Sequence, residues 1–382
     1  MTDFPEWLII TRLLAGGLCQ IDPRARGQMN FDFSEDVTLM REEVRRVLRD
    51  RFPRGAVRQA VDEGRRFDRD FWHELGAMGW LGVAIPEDYG GAGLGHEALC
   101  MIAEEVGAAL PPVPFASSVC QASEALLLFG SEAQKAAWLP KLASGEIIGC
   151  LALAEGPGEP RRLAATGSNG VKWPVMDGDI ADIAIVAGDD GLWLVELSGQ
   201  GVGREPVETL DIVRGASRLD LRNAAAEKLA GADLPRLLDR LAILAAFEAV
   251  GGAQAALDMA VEFAKERYAF GRPIASFQAI KHKLADIYVA LELARSNAYY
   301  GAWALDNEAE LPVAASAARL AASEAYSLAA KENIQTHGGM GFTWESDCHL
   351  HYRRARSLAL QLGSSRTWRD RLIDHLSQAE AA

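Results

Sequence analysis

The sequence predicts an α+β protein that is mostly α-helical, with a helical N-terminal domain, a central antiparallel β-domain and a C-terminal helical-bundle domain. On both sides of residues 147–232, apolar residues recur at steps of three and four, as in amphipathic helices. Between these flanks lie short β-branched runs separated by glycine-rich turns, which is typical of antiparallel strands. Because helices and strands do not alternate, we do not expect a parallel nucleotide-binding sheet.

The N-terminal part of the chain is predicted to contain an extension followed by a helical domain. The apolar run from Trp7 to Cys19 is too short to span a membrane, and Arg12 interrupts it. Met29 opens a stretch that reads like a natural start, so we expect residues 1–28 to lie outside the fold. The predicted domains are 29–146, 147–232 and 233–382. The first helix is predicted by the stripe Val37, Met40, Val44, Val47 and Leu48.

Strands are predicted at Ile147–Ala154, Ile180–Val186 and Gly191–Leu197, and the chain is helical again from Pro235. In the last domain one apolar stripe alternates steps of four and three through Ile280, Leu284, Ile287, Leu291 and Ala294.

Composition and charge limit which kinds of molecule the protein can bind. The 382 residues carry a net charge of −14. The chain therefore has no basic stripe that would bind nucleic acid, and its surface is poorly suited to anionic lipid. We therefore expect neither nucleic acid nor a membrane as a partner. Five cysteines lie far apart without a C-x-x-C pair, which favours a reducing cytoplasm over a disulfide framework or a zinc site.

Two segments are candidates for cofactor binding. Around the Gly271–Pro273 turn, Arg267, Phe270 and Gln278 offer a cation, a ring and an amide, which suit a pyrophosphate joined to an adenine ring. The alternative is a plain helical corner in which Phe270 and Phe277 belong to the core. In the second segment, Ile334–Glu345, three glycines would let the backbone approach a ligand closely, although glycines between helices are often only a connection.

Together, residues 267–286 and 335–345 resemble the paired FAD-binding signatures of the acyl-CoA dehydrogenase family, and the predicted domain order is also similar to that family. The resemblance implies FAD as the cofactor. It implies that Arg267, Phe270 and Gln278 hold the adenosine diphosphate portion. It also implies contacts to the same cofactor from the neighbouring subunit, through Gln335, Gly338, Gly339 and Gly341.

The resemblance further implies an FAD-dependent acyl-CoA dehydrogenase, or a subunit of one, which introduces a 2,3 double bond into an acyl-CoA thioester. Electrons would pass to an electron-transfer flavoprotein. The amino-acid sequences of several segments look most similar to those of bacterial subfamilies of sterol side-chain degradation, whose members are often heteromeric. The expected assembly is a homodimer, a homotetramer, or a heterotetramer with a related subunit.

The sequence departs from the family where the reaction needs a base. A carboxylate must take the C2 proton, but the two positions that the family uses for it align with Leu362 and Leu241. Glu248, in the apolar stretch LAILAAFEAV, is the best remaining candidate for the catalytic base. The alternative is a structural glutamate paired with an arginine of another helix or subunit.

The segment expected to face the flavin also departs from the family, since Ala154, Pro174 and Met176 replace a threonine, a tryptophan and a threonine. Trp173 lies one place away from the missing tryptophan. These replacements favour a second hypothesis, a non-catalytic subunit that completes its partner's FAD site. A weaker alternative is a flavin oxidase or monooxygenase on the same fold.

The segment HLHYRRAR contains further candidates. His349 and His351 point in different directions if the segment is helical, so we expect surface histidines and no metal site. Arg353, Arg354 and Arg356 could reach a CoA phosphate, although a solvated or intersubunit face is the simpler interpretation.

Overall fold

The computed structural model describes residues 35–156, 165–306 and 310–381. The expected extension, residues 1–28, therefore lies outside the described part of the chain. Within that part the order is helices, then strands, then helices, which confirms the predicted α+β class.

The N-terminal helices pack around an apolar core, and the predicted stripe of the first helix buries Val44 and Leu48. A π-helix at Phe115–Ala122 follows the proline-rich break. The α-helices of this part are α1 (Glu35–Arg51), α2 (Ala56–Asp62), α3 (Arg69–Ala77), α4 (Gly95–Ala109), α5 (Ser123–Phe129) and α6 (Glu132–Ser144).

The strands form two small sheets, with strand orders β1-β3-β4-β7 and β2-β6-β5. All pairs but one are antiparallel in these two sheets, as predicted; the exception is β1 with β3, which are parallel. The exception arises because β2 lies in the other sheet, so the connection from β1 to β3 crosses between sheets. The strands are β1 (Gly149–Ala152), β2 (Asn169–Met176), β3 (Ile183–Gly188), β4 (Gly191–Glu196), β5 (Val202–Pro206), β6 (Ala216–Arg222) and β7 (Ala226–Lys228).

The C-terminal helices surround one long central helix of 33 residues, α7 (Leu234–Glu266). Its length and composition would suffice to cross a membrane, but 78% of its apolar window is buried inside the protein, as expected for a core helix. A Cβ on Gly251 of α7 would lie 1.7 Å from the carbonyl oxygen of Glu104 in α4, so glycine is required for this close packing. The remaining helices are α8 (Gln278–Asp306), α9 (Leu311–His337), α10 (Cys348–Leu360) and α11 (Ser365–Ala381).

Candidate active site

The corner between α7 and α8 exposes the residues predicted to bind the cofactor. Helix α7 ends at Glu266 with Arg267 as its C-cap, and a short hairpin of Tyr268–Ala269 (β8) with Arg272–Pro273 (β9) reverses the chain. Phe270, at the tip of this hairpin, has a φ of 50° and leaves 96% of its surface exposed. The alternative that Phe270 belongs to the core is therefore wrong. A fully exposed ring is an open contact surface.

The other side chains of the corner are also accessible. Arg267 and Gln278 are both exposed, and Gln278 is the first residue of α8. The guanidinium of Arg272 stacks over Phe277 at 4.3 Å, and Phe277 meets the Phe270 ring edge-on at 6.2 Å. The corner thus exposes cations, a ring and an amide, the chemistry that an adenine dinucleotide needs.

The glycine bend after α9 combines an open part with a closed part. A Cβ on Gly338 or Gly339 would meet no neighbouring atom within 4 Å, so this backbone is open to a ligand. Gly341 is buried instead, and a Cβ there would lie 2.6 Å from the carbonyl oxygen of Ile334. Gln335, one turn before the bend, is exposed.

Both segments predicted to bind the cofactor lie at the same end of the helical bundle within one chain. Phe263 near the end of α7 stacks on His337 at the end of α9, with ring centroids 4.1 Å apart. Lys283 in the first turns of α8 forms an ion pair of 2.8 Å with Glu332 of α9. The exposed groups of this end fit a dinucleotide. Closure of the site by a neighbouring subunit stays a prediction.

The segment expected to face the flavin offers no side-chain hydrogen-bond donor at the three replaced positions. The backbone brings the two strands together, since the N–H of Trp173 donates to the carbonyl of Ala154 at 2.9 Å. Pro174 is exposed and Met176 is half-buried. The indole of Trp173 lies beside Gly156, where a Cβ would be 3.4 Å from its Nε1.

The two family positions for the base both belong to one apolar cluster in this chain. Leu241 is 2% exposed and packs in a cluster that also contains Ile85, Leu126 and Leu151. Leu362, half-buried with a φ of 61°, packs against the same cluster. Both leucines therefore contribute apolar contacts at the two places where the resemblance to the family predicts a proton acceptor.

Glu248 is buried and paired with two arginines. Its Oε1 accepts hydrogen bonds from Arg214 Nη2 at 2.6 Å and from Arg354 Nη1 at 2.9 Å. Arg354 also donates through Nε to Asp211. This is the arrangement that the structural alternative predicted, whereas the role of Glu248 as the base stays a prediction. Two guanidinium groups thus share one oxygen of this buried carboxylate.

The prediction for the HLHYRRAR segment was wrong for two residues. Arg354 is 1% exposed and His351 is 5% exposed, so neither lies on the surface. His351 Nδ1 lies 3.0 Å from the hydroxyl of Tyr326, and burial lowers the pKa of His351 to about 4. The burial follows from the position of α10, because residues at steps of three and four along this helix face the protein interior. That stripe, which the sequence already contained, is Cys348, His351, Ala355 and Leu358.

The comparisons with known proteins decide the family. The family model for the acyl-CoA dehydrogenase N-terminal domain matches residues 34–146, and the model for the C-terminal domain matches residues 235–376. The chain belongs to the acyl-CoA dehydrogenase family. Members of this family are oxidoreductases that use FAD. Acyl-CoA dehydrogenase IpdE2 of Mycobacterium tuberculosis is 37% identical to the chain, over 87% of this chain and 94% of that protein.

Solved structures of this family are similar to the chain over nearly its whole length. The Tcur3481-Tcur3483 steroid ACAD matches with a TM-score of 0.84 and 30% identity, over 91% of this chain and 99% of the other. The ChsE4-ChsE5 complex of Mycobacterium tuberculosis matches with a TM-score of 0.84 and 28% identity, over the same shares. A glutaryl-CoA dehydrogenase of Mycobacterium smegmatis in complex with FADH2 has a TM-score of 0.80 and 25% identity, over 91% of this chain and 95% of that one.

Proposed function

We propose that the chain is one subunit of a heteromeric acyl-CoA dehydrogenase, in which a related partner chain supplies the catalytic base. The observation that carries this proposal is the apolar cluster shared by Leu241 and Leu362, because it fills both family positions for the base. A leucine cannot accept the C2 proton, so dehydrogenation needs a carboxylate from elsewhere.

The exposed end of the bundle gives this subunit its own role in the reaction. Arg267 and Phe270 would hold the pyrophosphate and the adenine ring, and the open backbone at Gly339 would approach the dinucleotide closely. Bound FAD supplies the acceptor for the hydride that leaves C3 of the acyl group. The chain therefore completes a flavin site without having to perform the proton transfer.

The substrate that we propose is a steroid-derived acyl-CoA, which receives a 2,3 double bond, with an electron-transfer flavoprotein as the acceptor. The similarity to a steroid ACAD and to a complex of two chains supports both the substrate class and the heteromeric assembly. We also propose that the protein acts in the cytoplasm.

The proposal is tested by purifying the chain alone and co-expressed with related acyl-CoA dehydrogenase subunits from neighbouring genes, followed by flavin spectra and gel filtration. We expect a colourless or inactive chain alone and a yellow, active complex with the partner. An active yellow homo-oligomer would dismiss the proposal. A screen of short-chain, branched and steroid-derived CoA thioesters with an artificial electron acceptor then identifies the substrate, and oxygen consumption would indicate an oxidase instead.

A further inference from the structure

Two arginines from different parts of the chain pair with the buried carboxylate of Glu248, and a third, Arg319, is close enough to interact with it electrostatically. Arg214 precedes β6, Arg319 lies in α9 and Arg354 lies in α10. All three are buried, with at most 5% of each residue exposed. Asp211 is the acid that shares Arg354 with Glu248. Burying this many charges costs free energy unless they are paired, so the cluster depends on its carboxylates.

Through Arg214, the cluster is connected to the end of strand β2. Arg214 Nη2 donates to Glu248 Oε1 at 2.6 Å. The next residue, Gly215, accepts the backbone N–H of Asp177 through its carbonyl oxygen at 2.9 Å. Asp177 follows Met176 directly, and the hydroxyl of Ser117 donates to its carboxylate. Arg214 thereby connects Glu248 to the strand end that carries one of the flavin-facing positions.

Through Arg354, the cluster is connected to the turn that contains Leu362. Arg354 of α10 donates to Glu248 Oε1 at 2.9 Å, and α10 ends two residues before Leu362. Arg319 donates through Nη2 to the carbonyl oxygen of Gln361 at 2.7 Å. Burial lowers the pKa of Arg319 to about 10, and the negative charge of Glu248 opposes that effect. The direct connection from Glu248 to this turn is therefore its ion pair with Arg354, while Arg319 holds the turn through its own hydrogen bond.

We infer that Glu248 is a positioning residue, whose carboxylate fixes the end of β2 and the Leu362 turn relative to each other. The inference rests on the proposed function in one respect: these two segments line the flavin and the acyl group. Glu248 acts there through its ion pairs with Arg214 and Arg354 and takes no proton from the substrate. Without its charge, Arg214 would lose its ion pair, and Arg354 would keep only the one with Asp211.

The test is Glu248→Gln in the full-length chain, examined by thermal unfolding and by amide hydrogen exchange followed by mass spectrometry. We expect Tm to fall by about 5 °C or more, because one partner of a buried ion cluster is lost. Exchange should accelerate in residues 175–178 and 358–363. The matched control is Glu262→Gln on the same helix, whose carboxylate is 63% exposed and pairs with Arg54 at 2.9 Å. That variant should change neither readout.

A second variant separates charge balance from a general loss of packing. The double variant Glu248→Gln/Arg214→Gln removes one positive charge together with the negative one, so it restores the charge balance of the cluster. We expect it to regain part of the lost Tm and to slow the exchange of residues 358–363 again. If the single variant fails to fold, recovery of a folded double variant supports the same conclusion.

The inference is overturned if Glu248→Gln leaves Tm and exchange unchanged, or if the double variant is less stable than the single one. Loss of turnover with both readouts unchanged would instead assign Glu248 as the base. Neither readout requires a partner or a cofactor, so failure here is distinguishable from failure of the proposed heteromeric function.

Discussion

Two glycines of the same bend, Gly339 and Gly341, predict opposite effects of substitution. A Cβ at Gly339 meets no atom within 4 Å, so Gly339→Leu should change the free energy of unfolding by less than about 0.5 kcal/mol. A Cβ at Gly341 lies 2.6 Å from the carbonyl oxygen of Ile334 and 3.0 Å from the Cβ of His337. Because the backbone must shift, Gly341→Ala should cost about 1–3 kcal/mol of stability.

Cofactor binding should show which of the two positions faces the ligand. A leucine at position 339 would occupy the space of the dinucleotide, so FAD affinity should fall at least about 100-fold, which corresponds to about 2.7 kcal/mol. The assays are urea denaturation of the chain, and titration of the flavin-free complex with FAD, followed by flavin fluorescence. If Gly339→Leu binds FAD with unchanged affinity, the bend does not face the cofactor and the assignment of this end of the bundle is refuted.

Two further changes test the corner and the buried acids. Phe270→Ala should leave stability unchanged, because the ring is 96% exposed, and should weaken FAD binding by about tenfold through lost stacking, as measured by calorimetric titration of the complex. Burial raises the pKa of Asp177 to about 6, so the folded protein keeps a proton that the unfolded chain has lost. Stability should therefore fall as the pH rises from about 4 to 6, by up to about 3 kcal/mol. Asp177→Asn should remove that fall in urea titrations across this range, and an identical pH profile in both proteins would contradict it.

The sequence predicted those features of the fold that depend on local pattern. The stripes of α1 and α8 bury Val44, Leu48, Ile287 and Leu291, because helical periodicity alone determines which side faces the core. The two cofactor segments were found through a resemblance in short motifs, and their exposure in the structure agrees with a binding role.

Contacts between distant segments could not be predicted in the same way. Glu248 pairs with Arg214, 34 positions away, and with Arg354, 106 positions away, so no local window contains the cluster. The parallel pairing of β1 with β3 likewise depends on where β2 goes, which is a property of the tertiary fold. The burial of His351 was missed for another reason: the helical stripe of α10 was visible, but it mixes polar with apolar side chains, so hydrophobicity did not mark its inner face.

Anaerobic reduction of the flavin by an acyl-CoA shows most directly which chain performs the proton transfer. The complex with its partner is mixed with the substrate without oxygen, and bleaching of the flavin is followed before and after removal of the partner's glutamate base by substitution with glutamine. We predict that the partner's substitution abolishes bleaching. The Leu362→Ala variant of this chain should still bleach. Rapid bleaching by this chain in the absence of any partner would contradict the account.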